Sequence, residues 1–193
     1  THICHNVVTR TLYSSIAVGW SHDKQETGCR ENVIAYNHVY DVMLLLDHGA
    51  GIYTLGNQPG TVIRGNLVHD THQTMLHGPV KRPDWTAGAL GFDDGSSNFV
   101  VEDNIIYDTP VPPAKALTEG RAKEMTVRNN ACGIRPDEAG FPAAAAARAG
   151  LEAPFRDLLQ VPFRVTPSPI LAMSLPPAGP PPASVDTFDP TPV

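Results

Sequence analysis

Five short segments of the chain share one arrangement of apolar and polar positions: THICHNVV, NVIAYNHV, TVIRGNLV, FVVEDNII and MTVRNNAC. In each, an apolar residue (Ile3, Ile34, Ile63, Val101 or Val127) stands three positions before an asparagine. A second (Val8, Val39, Val68, Ile106 or Cys132) stands two positions after it. The asparagines themselves, Asn6, Asn37, Asn66, Asn104 and Asn130, are 31, 29, 38 and 26 residues apart. Short β-branched runs on both sides of a polar corner, with no helix-length amphipathic stretch between them, predict strand, corner, strand in every repeat. Fixed offsets place the same two positions inward each time, so the repeats are expected to stack on one core as the coils of a solenoid.

The run from Leu44 to Asp70 shows a whole repeat. Ile52 to Leu55 predict a strand, Gly56 to Gly60 a turn containing Pro59, and Thr61 to Ile63 a restarted strand before the corner at Asn66. The asparagines have a structural explanation: Asn tolerates the left-handed backbone a corner needs, and stacked amides can hydrogen-bond as a ladder. After Asn130 the repeat stops. Phe141-Pro142 followed by alanines predicts a short helix ending at Gly150, and Pro154 allows one or two more turns. The expected organisation is therefore stacked repeats over 1–140, a helical cap over 141–160 that hides the last edge, and a Pro-rich, extended or disordered tail over 161–193.

Composition narrows the partners. Much of the proline content of 19 residues lies after Pro136, so the body and the tail are judged apart. A net charge of −6 without a basic stripe argues against nucleic acid, and the mild acidity suits a neutral ligand. Cys4, Cys29 and Cys132 are odd in number and widely spaced, which fits neither a disulfide framework nor a zinc motif. No apolar run is long enough for a membrane span. Thr1 begins inside a repeat, without an initiator methionine or a signal peptide, so the chain reads as the C-terminal part of a longer protein.

Candidate chemistry lies where the repeat is broken. Asp47 follows three leucines and precedes HGAG; Asp93 and Asp94 stand in GFDDGSSN. Cleaving a glycosidic bond by acid catalysis needs two carboxyl groups facing one bond. Carboxylates on adjacent rungs, about 4.8 Å apart per step, fall naturally in the working range of about 5 to 9.5 Å. Asp47 precedes one strand and Asp93 closes another, so their separation is not fixed by sequence. His48, beside Asp47, is retained as a site residue, and Tyr53, on the strand that follows, as a substrate-binding candidate. His69 and His72 read as a solvated turn, and no histidine spacing matches a metal motif. Two polar insertions, Ser21 to Arg30 and Thr71 to Thr86, have Trp20 and Trp85 at their edges. Such loops can wall a groove, and an indole face is a platform for a sugar ring. Lys81-Arg82 would be the cations a uronate lyase requires.

The stretches LLLDHGAGIYTLGNQPGTVIRGNLVHD, GFDDGSSNFVVEDNIIYD and AGLEAPFRDLL together resemble the right-handed parallel β-helix proteins of carbohydrate metabolism. Among these they are most similar to the glycoside hydrolases of family one hundred and forty-one, which includes an α-L-fucosidase and a xylanase. The resemblance implies an all-β, right-handed parallel β-helix and puts the catalytic pair on Asp47 and Asp93. Asp94 then stands where the family often has glutamate, and His48 where it usually has glycine. It further implies a secreted or periplasmic, monomeric glycosidase acting on a carbohydrate substrate in a groove, with no cofactor, metal, nucleic-acid or membrane partner. A polysaccharide lyase and a non-catalytic glycan-binding or structural module are the rival expectations.

Overall fold

The computed structural model describes residues 1–46, 48–72, 88–111 and 124–160. The chain divides into two units, Thr1–Asp157 and Leu158–Val193. Of the second, only the end of a 3-10 segment, Ala153–Gln160, is described, with Leu158 and Leu159 exposed.

Among the described residues the first unit holds thirteen short strands. They are β1 His2–Cys4, β2 Val7–Thr9, β3 Ile16–Val18, β4 Val33–Ala35, β5 His38–Val42, β6 Ala50–Thr54, β7 Val62–Arg64, β8 Leu67–Thr71, β9 Gly88–Phe92, β10 Val100–Glu102, β11 Ile105–Ile106, β12 Thr126–Arg128 and β13 Ala131–Cys132. All pairings are parallel and link each strand to its counterpart in the next repeat. The orders are β1-β4-β7-β10-β12, β2-β5-β8-β11-β13 and β3-β6-β9. Ile3, Ile34, Ile63, Val101 and Val127 pair in succession across the first sheet. Val8, Val39, Val68, Ile106 and Cys132 do the same across the second. The middle members of both rows are buried together with Met43, Ile52, Leu90 and Phe99 in one core. The register was thus legible in the offsets, because a one-residue slip would turn every apolar side chain outward.

Each corner is closed by its asparagine. The Oδ1 of Asn66 accepts from the backbone N–H of Asn37 and from its Nδ2, both at 2.9 Å. In turn, Asn66 donates through its own N–H and Nδ2 to the Oδ1 of Asn104, and through Nδ2 to the carbonyl of Ile34. The same pattern joins Asn6 to Asn37 and Asn104 to Asn130. At the buried rungs both lone pairs and both amide hydrogens are used, so the row is a satisfied polar network inside the protein. The left-handed backbone falls one residue earlier than expected, on His5, Tyr36, Gly65, Asp103 and Asn129. The asparagines serve as rungs, and their neighbours make the bend.

The expected right-handed parallel β-helix with a helical end cap is corrected by this arrangement. The structure shows three parallel sheets of five, five and three strands; it does not show a closed solenoid. Among the described residues the last two repeats give no strand to the third sheet. The reason is physical: apolar offsets around a corner dictate which residues pair between repeats, and say nothing of how the segments between sheets close. The cap also differs. Among the described residues the α-helical turn α1 is Ala143–Ala146, shorter than the alanine run suggests. Phe141, Ala146 and Ala149 lie against Leu67, Ile105 and Tyr107 of the second sheet, on its flank. A row of alanines carries no apolar stripe to select a docking surface, so its position was not readable. No helix among the described residues is long and apolar enough to cross a membrane.

Candidate active site

The third sheet brings the site together. Tyr53 on β6 pairs with Gly91 on β9, and Thr54 with Phe92, so the chain leaving β9 arrives one step further on as Asp93. The N–H of Asp93 donates to the Thr54 carbonyl at 3.0 Å, and its own carbonyl accepts from Ser96 N–H at 2.9 Å. These bonds make Asp93 to Ser96 a turn, with Gly95 at φ 71°. A Cβ at Gly95 would lie 2.0 Å from the carbonyl oxygen of Asp23, so glycine here also admits the Ser21 to Arg30 insertion against the turn.

Gly91 has a matching role on the outer face. With no side chain there, the Tyr53 ring settles over it, and the phenol donates a hydrogen bond to Oδ2 of Asp93. The same carboxylate oxygen is 3.4 Å from Nε2 of His48. His48 sits in the left-handed region at φ 54°, and its carbonyl accepts from the Tyr13 hydroxyl at 2.7 Å. Tyr53 is 5% exposed, whereas the side chains of Asp93 and His48 keep 21% and 41% of their surface. Burial, then the hydrogen bond to Asp93 and the neighbouring negative charge, push the Tyr53 phenol far above its ordinary value, so it remains a donor.

Trp20 is 63% exposed beside this group, its ring centre 6.2 Å from that of Tyr53. It does not pack beneath its loop. Asp94 turns outward, with Oδ2 at 3.6 Å from Nδ1 of His22. Of the predicted site residues, then, Asp93, His48, Tyr53 and Trp20 are brought together, with Asp94 at the edge. Asp47 and Trp85 lie outside the described residues. Tyr13 and His22 were missed by the sequence reading. His22 was hidden in a polar insertion, although it stands two residues from Trp20.

Gly91→Ala tests this packing. The new Cβ would fall 2.8 Å from Cδ2 of Tyr53 and 2.9 Å from Cβ of Ala50. Overpacking of this kind costs about 1–3 kcal/mol and moves the ring that reaches Asp93. Urea unfolding should show the loss, and adding Ala50→Gly should recover part of it by removing one of the two contacts.

No family model matches the chain, and no curated protein matches it either. A solved structure of a glycoside hydrolase is similar over 81% of this chain, with a TM-score of 0.63 and 29% identical residues. The match covers 23% of that chain, so the present sequence spans about a quarter of its length.

Proposed function

We propose that the chain carries a carbohydrate-active site, part of a glycosidase that hydrolyses the glycosidic bond of an oligo- or polysaccharide. The observation that carries this reading is Asp93: a partly exposed carboxylate that accepts from the Tyr53 phenol and lies beside His48, with the exposed Trp20 indole next to the Tyr53 ring. The likeness to a glycoside hydrolase supports the class of chemistry.

In this reading Asp93 is the ionised member of the acid and base pair. Its Oδ2 receives a phenol hydrogen that stays in place, a bond that is stronger to a carboxylate than to a carboxylic acid. Asp93 therefore attacks the anomeric carbon or takes a proton from the attacking water. Asp47 supplies the proton to the leaving oxygen, so that one water is added across the bond. His48 steadies the Asp93 carboxylate as positive charge develops on the sugar. Trp20 offers its face to a sugar ring's C–H groups.

The test is incubation of the full-length parent protein with a panel of neutral and uronate glycans, following reducing ends and ultraviolet absorbance together. New reducing ends without absorbance are expected. Absorbance from an unsaturated product would make the protein a lyase instead, and binding without either signal would make it a glycan-binding module.

A further inference from the structure

On the outer face of the second sheet, His38 and His69 meet end to end. Their Nε2 atoms are 2.8 Å apart and their ring centres 5.0 Å apart. At that nitrogen spacing, such a separation requires the rings to point at each other. One nitrogen therefore carries a proton that the other accepts. Two nitrogens arranged for a metal ion would aim at a common third point, and no metal-holding group of three or more ligands occurs among the described residues. Nδ1 of His69 lies 2.6 Å from Oδ2 of Asp70, which places a hydrogen on Nδ1 and leaves Nε2 to accept from His38. The His69 ring is stacked between Tyr40 and Tyr107, nearly parallel to both at 8° and 6°. It has little room to turn.

The segment Phe141 to Gly150 rests on both ends of this group. Phe141 meets Tyr107 edge-on, at 6.0 Å and 78°, and Tyr107 lies on His69. At the other end a Cβ on Gly150 would be 3.2 Å from Cβ of His38. The Gly150 N–H donates to the Tyr36 carbonyl at 2.8 Å. Arg148 covers the Tyr36 ring at 4.8 Å and donates to its hydroxyl. We propose that the histidine pair is an acid-operated latch for this segment: the rings share one added proton, a second sets N–H against N–H and forces them apart, and Phe141 to Gly150 comes away from the sheet.

Burial, then the charge of His69, push His38 down from 6.5 to about 4, in keeping with this order of events. A histidine whose value is lowered in the closed form is a better base once released. The closed form is therefore fully favoured above about pH 6.5 and loses ground as pH falls toward 4. Among the described residues, charged groups face the pair from several elements. Asp70 and Asp41 lie on the pair's own sheet, and Asp41 is bonded to His72 at 3.0 Å. Next to Tyr107, Asp108 is held by Arg135 at 2.5 Å. Arg148 comes from the segment itself, and His5 from the first corner, its Nδ1 3.3 Å from the Gly150 carbonyl. The phenols of Tyr40 and Tyr107 complete the surroundings. Asp70 faces the His69 ring, and nothing beside His38 offers a counter-charge at hydrogen-bond distance among the described residues. The latch is independent of the glycosidase reading.

Amide hydrogen exchange of the 193-residue chain, corrected for the intrinsic pH dependence of exchange, tests it. Protection of the Gly150 amide should fall at least tenfold between pH 7 and pH 4, while the backbone amides of Asn66 and Asn104 keep theirs. In His38→Gln the fall should shrink to less than twofold. Unchanged protection in the natural chain, or an equal fall in the variant, would overturn the latch. Should the variant not fold, imidazole ¹⁵N titration of the natural chain decides: the second proton must be taken up in the same pH interval in which Gly150 loses protection, and separate intervals overturn the proposal.

Discussion

Asn66→Ala is expected to be the most damaging single change in the framework. It removes the acceptor of two Asn37 hydrogens and the donor to the Ile34 carbonyl, all at a fully buried position. Each buried group left unpaired costs about 1–3 kcal/mol, so the three together come to roughly 3–9 kcal/mol. For a chain of this size that lowers the melting temperature on the order of 10 °C. Asn6→Ala is the internal control. Asn6 stands at the exposed end of the row and donates to Asn37 without carrying a rung of its own, so its loss should cost about 1 kcal/mol or less. Thermal unfolding of the two variants side by side gives the answer. Equal losses would mean that the row is ornamental and that the apolar stack alone sets stability.

The largest effect on activity is expected at Asp93. In the full-length parent, with a glycan it turns over, Asp93→Asn should lower kcat by about 10³-fold or more, because it removes the group that attacks or activates water. The amide still accepts from Tyr53, so the melting temperature should hardly move. Tyr53→Phe asks a different question. The ring and its packing over Gly91 remain, and only the donor to Asp93 is lost. A hydrogen bond to a charged group contributes about 1.5–3 kcal/mol, which predicts a fall in kcat of roughly 10- to 100-fold with KM nearly unchanged. Full activity in Asp93→Asn would remove Asp93 from the chemistry. A Tyr53→Phe variant that loses only KM would move Tyr53 from steadying the carboxylate to holding substrate.

How far the chain could be read from its letters differs from residue to residue. The rows headed by Ile34 and Val39 were legible because their spacing from each asparagine never changes, and parallel pairing turns equal offsets into neighbours. The amide ladder was legible for the same reason. Asp93 stood out as a break in the repeat, as did His48. The bond between Tyr53 and Asp93 was not legible, because it depends on the bare backbone at Gly91, 38 residues along the chain from Tyr53, and only the register of β6 with β9 shows that the two meet. The histidine pair escaped for a related reason: His69 beside Asp70 looks like any polar turn until β8 is laid against β5. Asp47 is a member of the proposed pair on its sequence context and the family resemblance, and is proposed as the acid only as the counterpart of Asp93.

The asparagine row also has a consequence for how such a chain can change. Its members stand 31, 29, 38 and 26 residues apart in the chain, yet the side-chain bonds between successive rungs are all 2.9 Å. The row works as a ruler that resets after every detour. Whatever the chain does between two marks, it must return to the next one, and errors of spacing do not accumulate. Within the segments between marks, the turns that join paired strands can therefore be lengthened or shortened while the strands and their core residues stay in place. Asp93 and Trp20 are both carried in such segments, so new binding preferences can be acquired while the measured scale beneath them stays the same.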